Sequence, residues 1–268
     1  MSVHERACRA CGLAEFRRTA DADFDDWFER WSSDRGELIR LQVTRFVDEH
    51  ASGAQVGRPS ARETELLEEH GEAWARAVAH LARPYVPDVP YRGYEFERGF
   101  VAQIRTDPDI VSDPRSRLFE LAPIEHVDLT SRGDIRKALV SPELANLRSL
   151  RLNEIGLTDD DLRALAGGGH LERLEWLDLR LNPFGRAGVE ALVASPAIRR
   201  IPVVLLGSHP YNPGMQHDAD FDGRVSESWM PEYGQMLEAK HGRIDWLHLP
   251  HFLGLPDRYH ARAVRYVD

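Results

Sequence analysis

His4, Cys8 and Cys11 follow the order His-x3-Cys-x2-Cys, which offers nitrogen and sulfur ligands of the kind that zinc takes. A closed structural site needs a fourth ligand, and the chain has no second Cys-x2-Cys pair to supply it. The expectation is a reduced N-terminal tail without metal, with these three residues kept as the zinc candidates. Histidine and carboxylate also collect in the last third: His209, His217, Asp218, Asp220 and Asp222, then His241, His248, His251 and His260. Such groups do metal or acid-base chemistry only where they converge. Asp218-Ala219-Asp220-Phe221-Asp222-Gly223 has the alternating aspartates and the glycine of a calcium loop, yet the position that needs a glutamate is Trp229. An acidic solvated loop is the expectation there. The sequence has no His-Glu-x-x-His, no Gly-x-Ser-x-Gly and no Walker lysine loop.

A second set of polar residues is defined by repetition. Ile124–Leu129, Leu147–Leu152, Leu174–Leu179 and Ile198–Val203 each read apolar-x-x-apolar-x-apolar, and their starts are nearly evenly spaced. Repetition at about 20 to 29 residues with this pattern is the signature of a leucine-rich repeat. In each strand the positions between the apolar ones face outward: His126, Asp128 and Thr130, then Ser149, Arg151 and Asn153, then Trp176, Asp178 and Arg180, then Arg200, Pro202 and Val204. The column Asp128, Arg151, Asp178 alternates in charge. It is either a ladder of lateral pairs, worth about 0 to 1 kcal/mol per exposed pair, or a polar recognition face. Trp176, flanked by Arg180 and Arg200, has the composition of a binding hot spot. It is otherwise held by Arg200 through a cation-π contact or covered by the C-terminal tail. The candidate partner-binding residues are His126, Arg151, Trp176, Asp178, Arg180 and Arg200; no residue is assigned to catalysis and no cofactor is expected.

The elements that must position these residues can be read along the chain. Phe24, Trp27, Phe28 and Trp31 follow helical spacing behind Asp21, Asp23, Asp25 and Asp26, and Gly36 breaks that run. A second helix holds Leu38, Ile39, Leu41, Gln42, Phe46 and Val47 and ends before Ser52-Gly53. A third runs from about Pro59 to Leu81, with Ser60 and Glu63 spaced as a capping box. Pro84, Pro87 and Pro90 mark an irregular connection, and residues 94 to 104 alternate as a strand or a hairpin turning near Arg98-Gly99. A helix from about Ile110 to Leu121 leads into the first repeat strand. Shifting the second repeat onto the third lays Leu157 on Phe184, Leu162 on Val189 and Leu165 on Leu192, so the repeat helices share one register. Thr158 and Asp161 start one of them and Gly167-Gly168-Gly169 ends it. Asn182 occupies the asparagine position of the repeat, where the preceding unit has Ile155. After Leu206 the period is lost; a helix from about Pro231 to His241 and a final aromatic segment would cap the last repeat.

Asp26-Trp27-Phe28-Glu29-Arg30, followed by Arg35-Gly36-Glu37-Leu38-Ile39-Arg40-Leu41-Gln42, resembles the motif of the bacterial repeat-companion domain of planctomycetes, myxobacteria and actinobacteria. The likeness continues through Glu65–Trp74, Arg98-Gly99-Phe100-Val101 and the segment Leu237–His248, and so covers about residues 21 to 250. It implies a helical companion region just ahead of leucine-rich repeats, with no reaction to carry over. It also implies structural roles: Trp27 and Trp74 in the core, Gly36 as a helix break, Glu37 and Arg40 as internal partners. Phe24 and the acidic run before Trp27 depart from the family's tyrosine-alanine-aspartate lead-in.

The expected fold is α/β: a short leucine-rich-repeat solenoid with a parallel sheet, preceded by a mainly helical companion domain. The divisions are a tail (1–20), the helical companion region (21–93), the repeats with their lead-in strand (94–206) and a capping segment (207–268). A formal net charge of -10 argues against a general nucleic-acid binder, because phosphate neutralisation needs a basic surface. No apolar run is long enough to cross a bilayer, and the first residues lack a signal peptide's apolar core, so a cytoplasmic protein without membrane attachment is expected. The functional expectation is a non-catalytic protein-protein interaction module or assembly subunit with a protein partner. The alternative is a metal-dependent hydrolase using the C-terminal histidines and aspartates.

Overall fold

The structure is a computed structural model that describes residues 33–52, 59–84, 92–206 and 231–248. It shows a mixed α/β fold in which six strands form one sheet in sequence order, with helices flanking it. The described residues divide into two compact units. One reaches to Ile104 and includes Arg117–Ile124; the other comprises Arg105–Ser116 and everything from Glu125 onward.

The first unit opens with helix α1, Ser33–Ser52. The expected break at Gly36 does not occur: the glycine lies buried inside the helix, which absorbs the roughly 1 kcal/mol that glycine costs relative to alanine. Helix α2, Ala61–Ala75, starts at the expected capping box, where the Ser60 hydroxyl accepts from the Glu63 amide and the Glu63 carboxylate accepts from the Ser60 amide. Glu63 is 2 % exposed and takes two further bonds from Arg45, at 3.2 and 3.0 Å. The helix stops earlier than the expected Leu81, and a single 3-10 turn over Ala79–Leu81 follows.

Strands β1, Tyr94–Glu97, and β2, Phe100–Thr106, then pair antiparallel. The two residues between them, Arg98 and Gly99, have φ of 54° and 76°, the left-handed pair that matches a tight hairpin to the sheet's twist. Glycine is required at the second, because a Cβ there would lie 2.1 Å from Ile39 Cγ1. Gln42 fixes the turn onto α1: its Nε2 donates to the Phe96 carbonyl at 3.2 Å and its Oε1 accepts from the Gly99 amide at 2.7 Å. Arg35 donates to the Gly99 carbonyl at 3.1 Å and lies over the rings of Phe100 and Trp74. Glu37 pairs with Arg62 at 3.0 and 2.8 Å. The helix expected over 110–121 is broken instead. Helix α3 covers Pro108–Ser112, a 3-10 turn Pro114–Ser116, and helix α4 Leu118–Leu121, with Arg117 between them at a φ of 52°. Pro114 cannot continue the helix, and it disfavours helical backbone at Asp113 before it.

In the second unit β3, His126–Leu129, β4, Ser149–Arg151, β5, Trp176–Asp178, and β6, Val203–Leu205, run parallel. Their inner positions Val127, Leu150, Leu177 and Val204 are all buried. The helices between them are α5, Ile135–Leu139, α6, Asp159–Gly167, α7, Arg186–Ala194, and α8, Pro196–Arg199. Each apolar pair expected from laying the second repeat on the third is buried at both members. The fourth strand departs from expectation: Trp176 pairs with Val203 and Asp178 with Leu205, one step of the apolar pattern later than a start at Ile198 implied. Helix α8 occupies Pro196–Arg199, so the strand is built from the second fit of the same pattern, Ile201-x-x-Val204-x-Leu206.

Two local devices join successive units. Glu154 and Leu181, at equivalent places in the second and third repeats, both have left-handed backbone, with φ of 58° and 61°. Asn182 then ties the turns together. Its Oδ1 accepts from the amides of Ile155 and Leu157, and its Nδ2 donates to the carbonyls of Leu152, Leu179 and Arg180. The second device is a borrowed helix cap: Asp159 Oδ1 accepts from the amides of Gly185 and Gly188 at the start of α7, at 2.7 and 2.9 Å. Gly188 leaves the room for it, since a Cβ there would be 2.7 Å from that oxygen. Helix α9, Pro231–His241, matches the expected range. Its Tyr233 hydroxyl donates to the Arg186 carbonyl on α7, and Leu237, Ile244, Trp246 and Leu247 are buried against the last unit.

Candidate functional site: the polar face of the parallel strands

The strand register places the outward residues in rows. His126, Ser149, Trp176 and Val203 form one; Asp128, Arg151, Asp178 and Leu205 form the next. Five of the six expected partner-binding residues therefore share this face. Arg200 does not: it is exposed in the turn after α8 and is replaced in the rows by Val203 and Leu205. The face is also more enclosed than strand alternation implies. His126 and Asp178 are 2 % exposed, Trp176 6 % and Arg151 9 %, while Ser149, Asn153, Arg180 and Leu205 are half-buried.

Its charges interlock. Asp178 is gripped by Arg180 in a bidentate pair, Nε to Oδ1 at 2.9 Å and Nη2 to Oδ2 at 2.6 Å, and accepts a third bond from the Arg180 amide. Burial opposes ionisation of Asp178, but the Arg180 charge and hydrogen bonds, with Arg151 beside them, outweigh it and hold the carboxyl below its ordinary value. Asp128 sits between Arg105, at 3.4 Å, and Arg151, at 3.9 Å, with looser geometry. There burial wins: the Asp128 carboxyl is pushed up to about 6 against the pull of Arg151 and Arg105, and the charge of Asp178 adds to the rise. Arg151 also donates to the Asn153 amide oxygen at 2.6 Å. One row before the strands a second alternating column runs Glu125, Arg148, Glu175, with N–O distances of 3.6 and 3.0 Å.

Two contacts on this face were not foreseen from sequence. Arg105, one residue beyond the alternation read over 94 to 104, belongs to β2 and enters the column through Asp128. Ser149 Oγ lies 2.8 Å from His126 Nδ1 across the β3–β4 pairing, at the outward positions that the repeat alignment had set side by side. Of the chemistry-bearing residues elsewhere, His4, Cys8, Cys11, His209, His217, Asp218, Asp220, Asp222, His251 and His260 lie outside the described residues. His241 ends α9, and its carbonyl accepts from Arg199.

Among the described residues no three His, Cys, Asp or Glu side chains are grouped so as to hold a metal ion, and no helix is long and apolar enough to cross a membrane. No protein-family model matches the chain, and no curated protein or solved structure matches it.

Proposed function

We propose that this chain is a non-catalytic interaction module or assembly subunit: a short leucine-rich-repeat solenoid behind a helical companion region, recognising a protein partner in the cytoplasm. The observation that supports it best is Asn182. It stands at the asparagine position of the repeat pattern and closes the turns of two units whose left-handed residues, Glu154 and Leu181, recur at equivalent places. A solenoid of such units buries one face of its strands and leaves the other for recognition. Here the partner surface is the half-buried set Ser149, Asn153, Arg180 and Leu205. Arg151 bonds to Asn153 and Asp178 to Arg180, and His126 and Trp176 stand in the same row as Ser149.

Truncating the buried Trp176 or Arg151 would lower stability together with binding, so the test uses the less buried positions. Affinity capture from source-cell extract is run with the wild type and with an Asn153→Ala/Leu205→Ala variant, whose fold is checked by circular dichroism. A protein retained by the wild type and lost by the variant supports the reading. Equal retention by both sinks this surface; a stoichiometric metal together with no partner would turn the reading toward the hydrolase.

A further inference from the structure

We propose that Ser149 is a base-assisted nucleophile, with His126 as its base, and so a site of covalent acylation or phosphonylation on the sheet face. The inference does not rest on the interaction reading, and it requires no turnover. A serine hydroxyl is a poor nucleophile unless a neighbouring base takes its proton, and the first geometric requirement is a hydrogen bond of about 2.6 to 3.2 Å between them. The Ser149 Oγ to His126 Nδ1 distance of 2.8 Å meets it, with His126 acting as base in the tautomer that carries its proton on Nε2. Neither residue reaches this geometry through a free rotor on a loop. Each is the first residue of its strand and the two are directly paired, so the backbone ladder sets the separation of their Cα atoms. The imidazole is 2 % exposed, whereas the serine is half-buried and so the more accessible residue of the pair.

With a fluorophosphonate the step is balanced as follows. The Ser149 O–H proton passes to His126 Nδ1, the Oγ–P bond forms, the P–F bond breaks, and the leaving fluoride takes the proton from Nδ1 and departs as hydrogen fluoride. With an activated ester the Oγ–C bond forms in the same way, and the leaving alkoxide takes the proton back from His126.

The test incubates the full chain with a fluorophosphonate and follows adducts by peptide mass spectrometry. The exposed Ser131 serves as an internal reference in every digest. The expected result is an adduct on Ser149 forming on the order of 100-fold faster than on Ser131, a typical gain from a positioned base. Ser149→Ala should abolish that adduct, and His126→Gln should slow it by a similar factor. Labelling of Ser149 no faster than Ser131 overturns the proposal, as does an unchanged rate in a folded His126→Gln variant. If that variant fails to fold, the Ser149 to Ser131 ratio in the wild type decides alone.

Discussion

Gln42 and Asn182 are both buried primary amides that close a turn of distant backbone, and the two units use them differently. Gln42 bonds to the Phe96 carbonyl and the Gly99 amide and makes its tie once, between a helix and a hairpin. Asn182 makes five bonds across two successive turns and sits in a backbone frame that recurs from one repeat to the next. In the first unit the tie joins two elements of different kind; in the second it joins two turns whose backbone recurs, although the preceding unit has Ile155 where Asn182 stands. Loss of the second tie should therefore loosen two turns together, and loss of the first should free a single hairpin.

The largest effect expected is for Asn182→Ala. It leaves the amides of Ile155 and Leu157 and three carbonyls to find new partners, at a cost of about 3 to 4 kcal/mol. Urea unfolding measures the loss, and hydrogen exchange should show both the Ile155 and Leu157 amides released; a loss confined to one of them would break the contrast. Gln42→Ala removes two bonds and should cost about 2 kcal/mol by the same measurement. Its exchange signature is a faster Gly99 amide with Ile155 and Leu157 unchanged.

The paired carboxylates of the sheet give a pH test of the same period, because Asp128 and Asp178 occupy equivalent places in different units. Asp178 is held low, so its contribution is present above the ordinary carboxylate range and is lost as pH falls through its lowered value. Asp128 is raised from 3.8 to about 6, so the folded state binds its proton more tightly than the unfolded state does. Its contribution is fully present below pH 3.8 and is lost as pH rises to about 6. Urea midpoints at pH 4.5 and 7 should show Asp128→Asn removing a fall of roughly 1 to 2 kcal/mol over that window. A variant that keeps the wild-type slope would place the titration elsewhere. The smallest effect is Gly188→Ala, at about 1 kcal/mol by thermal unfolding: its Cβ meets two side-chain ends that can shift, Asp159 Oδ1 and Leu162 Cδ1, and lies 3.2 Å from the Asp159 Cα. A neutral result would mean that the borrowed cap has slack.

What the sequence made legible follows the same division. Signals carried by a few adjacent residues were readable: the Ser60 and Glu63 box, the Arg98-Gly99 turn, helix α9 and the paired apolar positions of the central units. The fourth strand was misplaced because Ile198, Ile201 and Val204 are all apolar at a spacing of three, so two registers satisfy one pattern. Only strict repetition of the step from Leu150 to Leu177 selects the later one, which lands on Val204. Gly36 misled in the opposite way, since helix propensity is a small term that tertiary packing overrides. The enclosure of Trp176, and the hydrogen bond that Ser149 and His126 make at positions the repeat had already aligned, depend on what lies beside and above a strand. Spacing along a single chain does not encode that.

The borrowed cap has a consequence for how such a chain can be lengthened or shortened. Helix α7 starts on amides satisfied by an aspartate that the previous unit carries, so the instructions for one helix are written in the stretch before it. A duplication or excision that carried α7 without the stretch ahead of it would orphan the start of that helix even where every strand survived. Helix α6, which starts on its own Thr158 and Asp161, would tolerate the same cut.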